Sequence, residues 1–207
     1  YFVIPADIWP IEGWRVALLL TALPAIYAVY IRIKLPDSPQ FAVKEASKKR
    51  SVFQNIADVW SKEYAKSTFM MWVLWFAVVF SYYGMFLWLP SVMVGKGFDL
   101  ISSFKYVLIM TLAQLPGYFT AAWFIEKFGR KFVLVTYLIG TAASALMFGN
   151  AETVGVLLVS GMLLSFFNLG AWGALYAYTP EQYPAVIRGT GAGMAAAVGR
   201  IGGVFGP

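Results

Sequence analysis

The sequence predicts an all-α protein, a polytopic transmembrane helical bundle, and three observations lead to that class. The 207 residues are 60% hydrophobic and only 13% charged, whereas soluble domains carry about 25% charged residues. Apolar runs at 16–33, 69–94, 106–125 and 154–178 come close to or exceed the ~20 residues a helix needs to cross a hydrocarbon core. Third, Lys and Arg collect in alternate connections between those runs. With no water inside a bilayer to satisfy backbone groups, each run is expected to be helical.

Taken in order, residues 1–4 carry neither an initiator Met nor a signal-peptide pattern and read as the tail of an earlier span. The run at 16–33 is the first complete span. Residues 35–67 then turn polar, opening with "LPDSPQF", where Ser38 suits a helix N-cap and Pro39 the first turn of a short cytoplasmic helix. Further on, Val52, Phe53, Ile56, Val59 and Trp60 recur at helical spacing while Asp58, Lys62 and Lys66 take other positions. That pattern predicts an amphipathic helix covering the cytoplasmic ends of the bundle, with a regulatory or partner-binding role as the alternative. The runs at 69–94 and 106–125 follow; Gly84 and Pro90 in one, and Pro116 with Gly117 in the other, mark places where a helix can bend. The shorter run at 132–148 is read as a span because its connections are brief. The run at 154–178 comes next, and 190–207 begins a further helix and stops within it, so the chain reads as a piece of a larger, transporter-sized protein.

The charges set the expected orientation. Eight Lys and Arg fall between residues 32 and 66, then Lys127, Arg130 and Lys131, then Arg188, whereas the opposite connections hold Arg15, Lys96 and Lys105. The positive-inside rule places the richer set in the cytoplasm. The net charge of +6 is therefore read as topology, and no nucleic-acid partner is expected. The absence of Cys and His removes thiol and imidazole chemistry and the usual zinc ligands, so no metal or cofactor is expected from these residues.

"FIEKFGRK", residues 124–131, is a very short connection in which Gly129 permits a tight turn and Lys127, Arg130 and Lys131 keep that end inside. It resembles the Asp-Arg-X-Gly-Arg-Arg loop motif of the major facilitator superfamily, with Glu126 at the acidic position and Lys127 where the motif has Arg. "YTPEQYPAVIRGTGAGMAAAVGRIGGVFGP", residues 178–207, resembles the Pro-Glu-X-Tyr/Phe-Pro...Arg-Gly-Thr signature entering the eleventh helix of that superfamily, and "LPDSPQF" is similar to the segment after its sixth. The resemblance implies a register: 1–34 ends the N-terminal bundle (end of helix 5, helix 6), 35–67 is the cytoplasmic interdomain linker, and 68–207 is the C-terminal bundle from helix 7 into helix 11. The rest of the N-terminal half lies outside this sequence.

The same resemblance implies that Glu126, Gly129, Arg130 and Arg188 belong to a conformational gate of cytoplasmic charge contacts, with Glu126 and Arg188 as its expected pair. "FSYYGMFLWLPSV", "LAQLPGYFTAAWFIEK" and "LLSFFNLGAWGALYAYTPEQYP" look like the corresponding helices of niacin (nicotinate) permeases in the metabolite:proton symporter branch. That implies secondary active transport of a small aromatic carboxylate, coupled to protons, across a bacterial cytoplasmic membrane. Alternatives keep the fold with another cargo, such as a hydroxybenzoate-type acid or a sugar; more distant ones are a membrane-embedded enzyme or a channel.

Residue chemistry read alone gives a compatible site. An intramembrane charge is expensive and by default functional, and Arg200 is the one within a span. Arg200, Asn168 and Gln114 lie ten or eleven residues from the cytoplasmic ends of their spans, roughly 15 Å deep. Tyr82 and Tyr83 sit slightly farther out. Mid-depth is where carriers place substrate, and a guanidinium can grip a carboxylate through two parallel hydrogen bonds. Asn168, Trp172 and Tyr176 fall four apart on one helix face. Each has a plainer reading: interhelical hydrogen bonds for Asn168 and Gln114, packing for the aromatics, a structural ion pair for Arg200. All ten acidic residues lie in connections or at span ends, so a coupling proton would need a carboxylate elsewhere, or the protein is a uniporter. Gly189 with Gly193, and Gly199 with Gly203, predict close packing of the last helix. The spans at 16–33 and 132–148 carry only hydroxyls at depth, among them Thr21, Thr136, Tyr137, Thr141 and Ser144, and read as lipid-facing scaffold.

Overall fold

Long apolar runs become helices, and prolines decide where those helices break. The computed structural model describes residues 7–8, 11–35, 51–95, 97 and 99–206, in two compact units, Tyr1–Lys49 and Arg50–Pro207. In the first, a two-residue antiparallel ladder pairs Asp7–Ile8 (β1) with Ile11–Glu12 (β2), the one strand pair among the described residues. Helices α1 (Gly13–Leu20) and α2 (Leu23–Lys34) follow. The run at 16–33, expected as one span, is thus two helices of 8 and 12 residues. Pro24 has no N–H to offer the Leu20 carbonyl and its ring crowds that turn, while the Thr21 hydroxyl donates to Leu18 O at 2.6 Å. The expected tail at 1–4 and the helix expected after Ser38 and Pro39 lie outside the described residues.

The second unit opens with the amphipathic helix foreseen for this stretch, α3 (Val52–Val59), where the Ser51 N–H donates to Gln54 Oε1 at 3.2 Å and occupies one otherwise unpaired donor of the first turn. The 22-residue α4 (Ala65–Phe86) is about 33 Å long, enough to cross a bilayer. The expected run at 69–94 does not continue as one helix: it breaks at Leu87–Trp88 and restarts as α5 (Leu89–Gly95), because Pro90 cannot donate to the Phe86 carbonyl. The next run breaks likewise at Ala113, between α6 (Leu100–Leu112) and α7 (Gln114–Phe128), one turn before Pro116. Gly129, at φ +84°, turns α7 directly into α8 (Arg130–Gly149), a left-handed conformation that costs glycine little. Thr153 accepts the Val156 N–H at 3.3 Å at the start of α9 (Val154–Tyr178). A 3₁₀ turn, Thr179–Gln182, leads toward α10 (Arg188–Phe205).

Helix α9 is the axis of this unit, buried along most of its length. Small residues bring neighbours in: a Cβ on Gly117 of α7 would collide with the Phe166 carbonyl of α9, and Gly140 of α8 lies under the Phe167 ring. Val79, Trp75, Tyr137, Leu175 and Ala195 join one buried cluster linking α4, α8, α9 and α10. Helix α10 meets α4 along Gly199, Gly202, Gly203 and Gly206, each facing α4 atoms. Gly189 and Gly193 do not pack as expected: they meet nothing within 4 Å among the described residues. Gly191, which is against the Tyr183 ring, occupies the contact position instead. Helix α8 has two faces. Phe132, Val135, Ile139 and Leu146 are exposed, whereas Tyr137, Thr141 and Ser144 are buried. Of the hydroxyls read as lipid-facing scaffold, Tyr137, Thr141 and Ser144 therefore sit in the protein interior, where the Tyr137 hydroxyl donates to Thr120 Oγ1 at 2.8 Å, whereas Thr21 and Thr136 are exposed.

Candidate substrate site

Helices α4, α7 and α9 bring Ser81, Tyr82, Tyr118, Asn168, Trp172 and Tyr176 to one region. Asn168 is 2% exposed; its amide nitrogen donates to Ser81 Oγ at 3.3 Å, and its carbonyl oxygen has no partner. Gln114 stands at the break between α6 and α7, its amide nitrogen likewise buried and unpaired. One helical turn before Asn168, the Ser165 hydroxyl is also buried without a partner. Native interiors pair more than 90% of buried polar groups; five buried side-chain polar atoms lack a partner among the described residues, and the three on the adjoining helices α7 and α9 make this region a candidate for a polar ligand or water.

Aromatic rings form the walls. Tyr82 meets Trp172 edge-on at 5.0 Å and Phe86 at 4.8 Å, which ties α4 to α9 through ring edges and faces. Tyr176 meets Trp75 at 4.8 Å and keeps 49% of its surface exposed. Trp75 in turn donates its indole N–H to Thr179 Oγ1 at 2.8 Å, which holds the end of α9 against α4. Of the adjacent tyrosines, Tyr82 joins the cluster with Trp172, while Tyr83 borders Gly203 of α10.

Sequence reading missed Tyr118, whose ring lies against Gly173 of α9 at a distance of 3.0 Å from where a Cβ would stand. Its signal was the four-residue spacing from Gln114, which puts both on one face of α7. Arg200 follows Gly199, whose face meets Trp75 and Val79, and its side chain points to the exposed side of the unit. Among the described residues it makes no hydrogen bond or ion pair. The structure thus gathers Asn168, Trp172, Tyr176 and Tyr82, with Gln114 one turn from Tyr118 on α7 and Arg200 exposed on the neighbouring helix.

At the basic end, the ion pair joins Arg130 at the start of α8 to Glu181 in the 3₁₀ turn after α9. Glu126 and Arg188 do not pair with each other: both are exposed, and the Arg188 Nε–H donates to Tyr183 O at 3.3 Å. Position explains this, since Arg130 follows the Gly129 turn that carries the chain beside α9, whereas Arg188 is drawn onto the loop that precedes its own helix. Glu181 was also missed as a partner, although the quoted "YTPEQYP" contains it. Lys127 lies over the Trp123 ring at 5.0 Å. A cleft of about 630 Å³ opens beside the turn, bordered by Phe128, Phe132, Arg130 and Lys131.

Among the described residues, four helical stretches, Ala65–Phe86, Ser103–Phe128 across the break at Ala113, Arg130–Gly149 and Val154–Gln182 with its 3₁₀ turn, are long and apolar enough to cross a membrane. Broken spanning helices around interior polar groups are a feature that many membrane carriers share. The chain belongs to the Major Facilitator Superfamily, whose family model matches residues 8–207, and it is a multi-pass membrane protein. It is 64% identical over 207 residues to a protein of Bacillus subtilis (strain 168) that bears the name niacin/nicotinamide transporter NiaP, covering 100% of this chain and 50% of that one. It is 46% identical over 236 aligned residues to the niacin transporter NiaP of Acinetobacter baylyi, covering 100% and 52%. A 3-(3-hydroxy-phenyl)propionate transporter of Escherichia coli (strain K12) is 26% identical over 185 residues, covering 89% and 45%. The chain spans about half the length of these relatives.

Proposed function

We propose that the complete protein is a secondary carrier that moves niacin, as nicotinate, across the membrane by alternating access, and that it is a carrier rather than an enzyme. The observation that carries this reading is the set of orphaned amide and hydroxyl groups on α7 and α9, walled by Tyr82, Tyr118, Trp172 and Tyr176. Relatives at 64% and 46% identity bear niacin transporter names. A flat heteroaromatic ring suits the aromatic walls, its nitrogen or carboxylate satisfies the amides, and Arg200 supplies a bidentate partner for the carboxylate. A free guanidinium within a span is costly unless it meets an anion or the other half of the bundle.

In this reading 1–34 closes the N-terminal bundle, 35–67 links the halves, and 68–207 forms most of the C-terminal bundle. The Arg130–Glu181 pair and its neighbours Glu126, Gly129 and Arg188 form the gate at the cytoplasmic end. Every acidic residue described in the spanning helices lies near a helix end, as Glu126 does. Proton coupling would then use a carboxylate outside the described spanning helices, and without one the carrier is a uniporter.

Uptake of labelled nicotinate by cells expressing the complete protein, with and without a protonophore, tests this. Saturable uptake that collapses with the proton gradient is the expected result. Uptake indifferent to the protonophore replaces symport with uniport, and no uptake from membrane-inserted protein refutes the cargo. The hydroxyphenylpropionate relative supports a second reading, another aromatic acid as cargo, which competition by unlabelled acids distinguishes.

A further inference from the structure

We propose that α3 lies on the bilayer surface and inserts Val52, Phe53 and Ile56 among phospholipid chains. At 100° per residue, Val59, Val52, Ile56, Trp60 and Phe53 fan out in that order over one apolar arc of the helix. One edge of the arc is held by protein. Val59 is fully buried with Tyr183 and Ile187, its carbonyl accepts the Thr68 hydroxyl at 2.9 Å, and the Tyr183 hydroxyl donates to Thr68 Oγ1 at 3.2 Å. Toward the N-terminal end of the helix the arc is bare, with Phe53 82% and Val52 69% exposed.

Which way the arc faces is set by Trp60, at its far edge and just after the last turn of the helix. The Trp60 ring packs edge-on against Trp72 at 4.9 Å. Trp72 lies seven residues beyond Ala65, about 10 Å along the axis of α4. The arc therefore turns toward the apolar body of the spanning helix rather than away from it. Height is set by α4 itself, which starts five residues after Trp60. Lys62 and Lys66 are exposed at that level, where their cations can meet lipid phosphates. Trp at the headgroup level and a large apolar face at the acyl boundary are the features of an interfacial helix. A hydrocarbon surface covers Phe53 without any protein partner, and the same helix end is riveted to α4 and α10 through Val59. This inference rests on the fold alone and holds whatever the cargo.

The test places a nitroxide at Phe53→Cys and, on the polar face, at Gln54→Cys, in the complete protein free of other cysteines and reconstituted in phospholipid nanodiscs. Collision with oxygen, which partitions into lipid, is compared with collision with a water-soluble nickel chelate. The expected result is a reversal between neighbours: oxygen dominates at 53 and the nickel chelate at 54. Nickel dominating at 53 would show a face turned to water, and protection of 53 from both reagents would show a protein cover. Either result overturns the proposal.

Discussion

Asn168 shows how a single residue separates packing from function. Its carbonyl is buried and unpaired, and an unsatisfied buried group costs ~1–3 kcal/mol. Its one bond, to Ser81, is dispensable because the Ser81 hydroxyl keeps the Val78 carbonyl at 2.9 Å. Asn168→Val, apolar and only modestly larger, is therefore expected to hold or raise the melting temperature of the complete protein while weakening nicotinate binding. A lower melting temperature with unchanged binding would make Asn168 a packing residue. Asn168 and Gln114 were legible in the sequence because amides stand out in apolar helices. Tyr118, Ser165 and Glu181 were not, since their roles depend on which neighbour each helix presents: Gly173 for the first, an absent partner for the second, Arg130 for the third.

At the scale of the element, close helix approach is the controlling feature. Gly117→Ala would drive a methyl group into the Phe166 carbonyl, and overpacking of this kind costs ~1–3 kcal/mol. Gly189→Ala meets open space and gains helix propensity. A clear loss of melting temperature is expected for the first and none for the second; equal effects would contradict the assigned contacts. The last long helix, Val154–Tyr178, matches its apolar run residue for residue, since it has no interior proline and Thr153 caps it. Hydropathy was blind to the breaks at Thr21–Ala22, Leu87–Trp88 and Ala113 because proline interrupts hydrogen bonding without lowering apolarity. Glycine spacing was equally ambiguous: Gly189 with Gly193 and Gly199 with Gly203 share a four-residue period, yet α10 turns only the second pair toward α4.

For the whole molecule, the Arg130–Glu181 pair joins the α7–α8 turn to the end of α9, and in the proposed carrier it would hold that end of the unit together during alternating access. Each of Arg130→Glu and Glu181→Arg is expected to slow uptake by placing like charges together. The double reversal should recover uptake beyond either single change; a double variant no better than the worse single one would remove the pair from the gate. The central claim, a carboxylate held in this half by Arg200, is tested most directly by nicotinate binding to the complete protein before and after Arg200→Lys, with nicotinamide as the reference ligand. Lys keeps the charge and loses the planar fork. Charge-assisted bonds contribute ~1.5–3 kcal/mol, so nicotinate affinity is expected to fall about tenfold to a hundredfold while nicotinamide affinity barely changes. Equal losses for the acid and the amide, or none for either, would contradict the account.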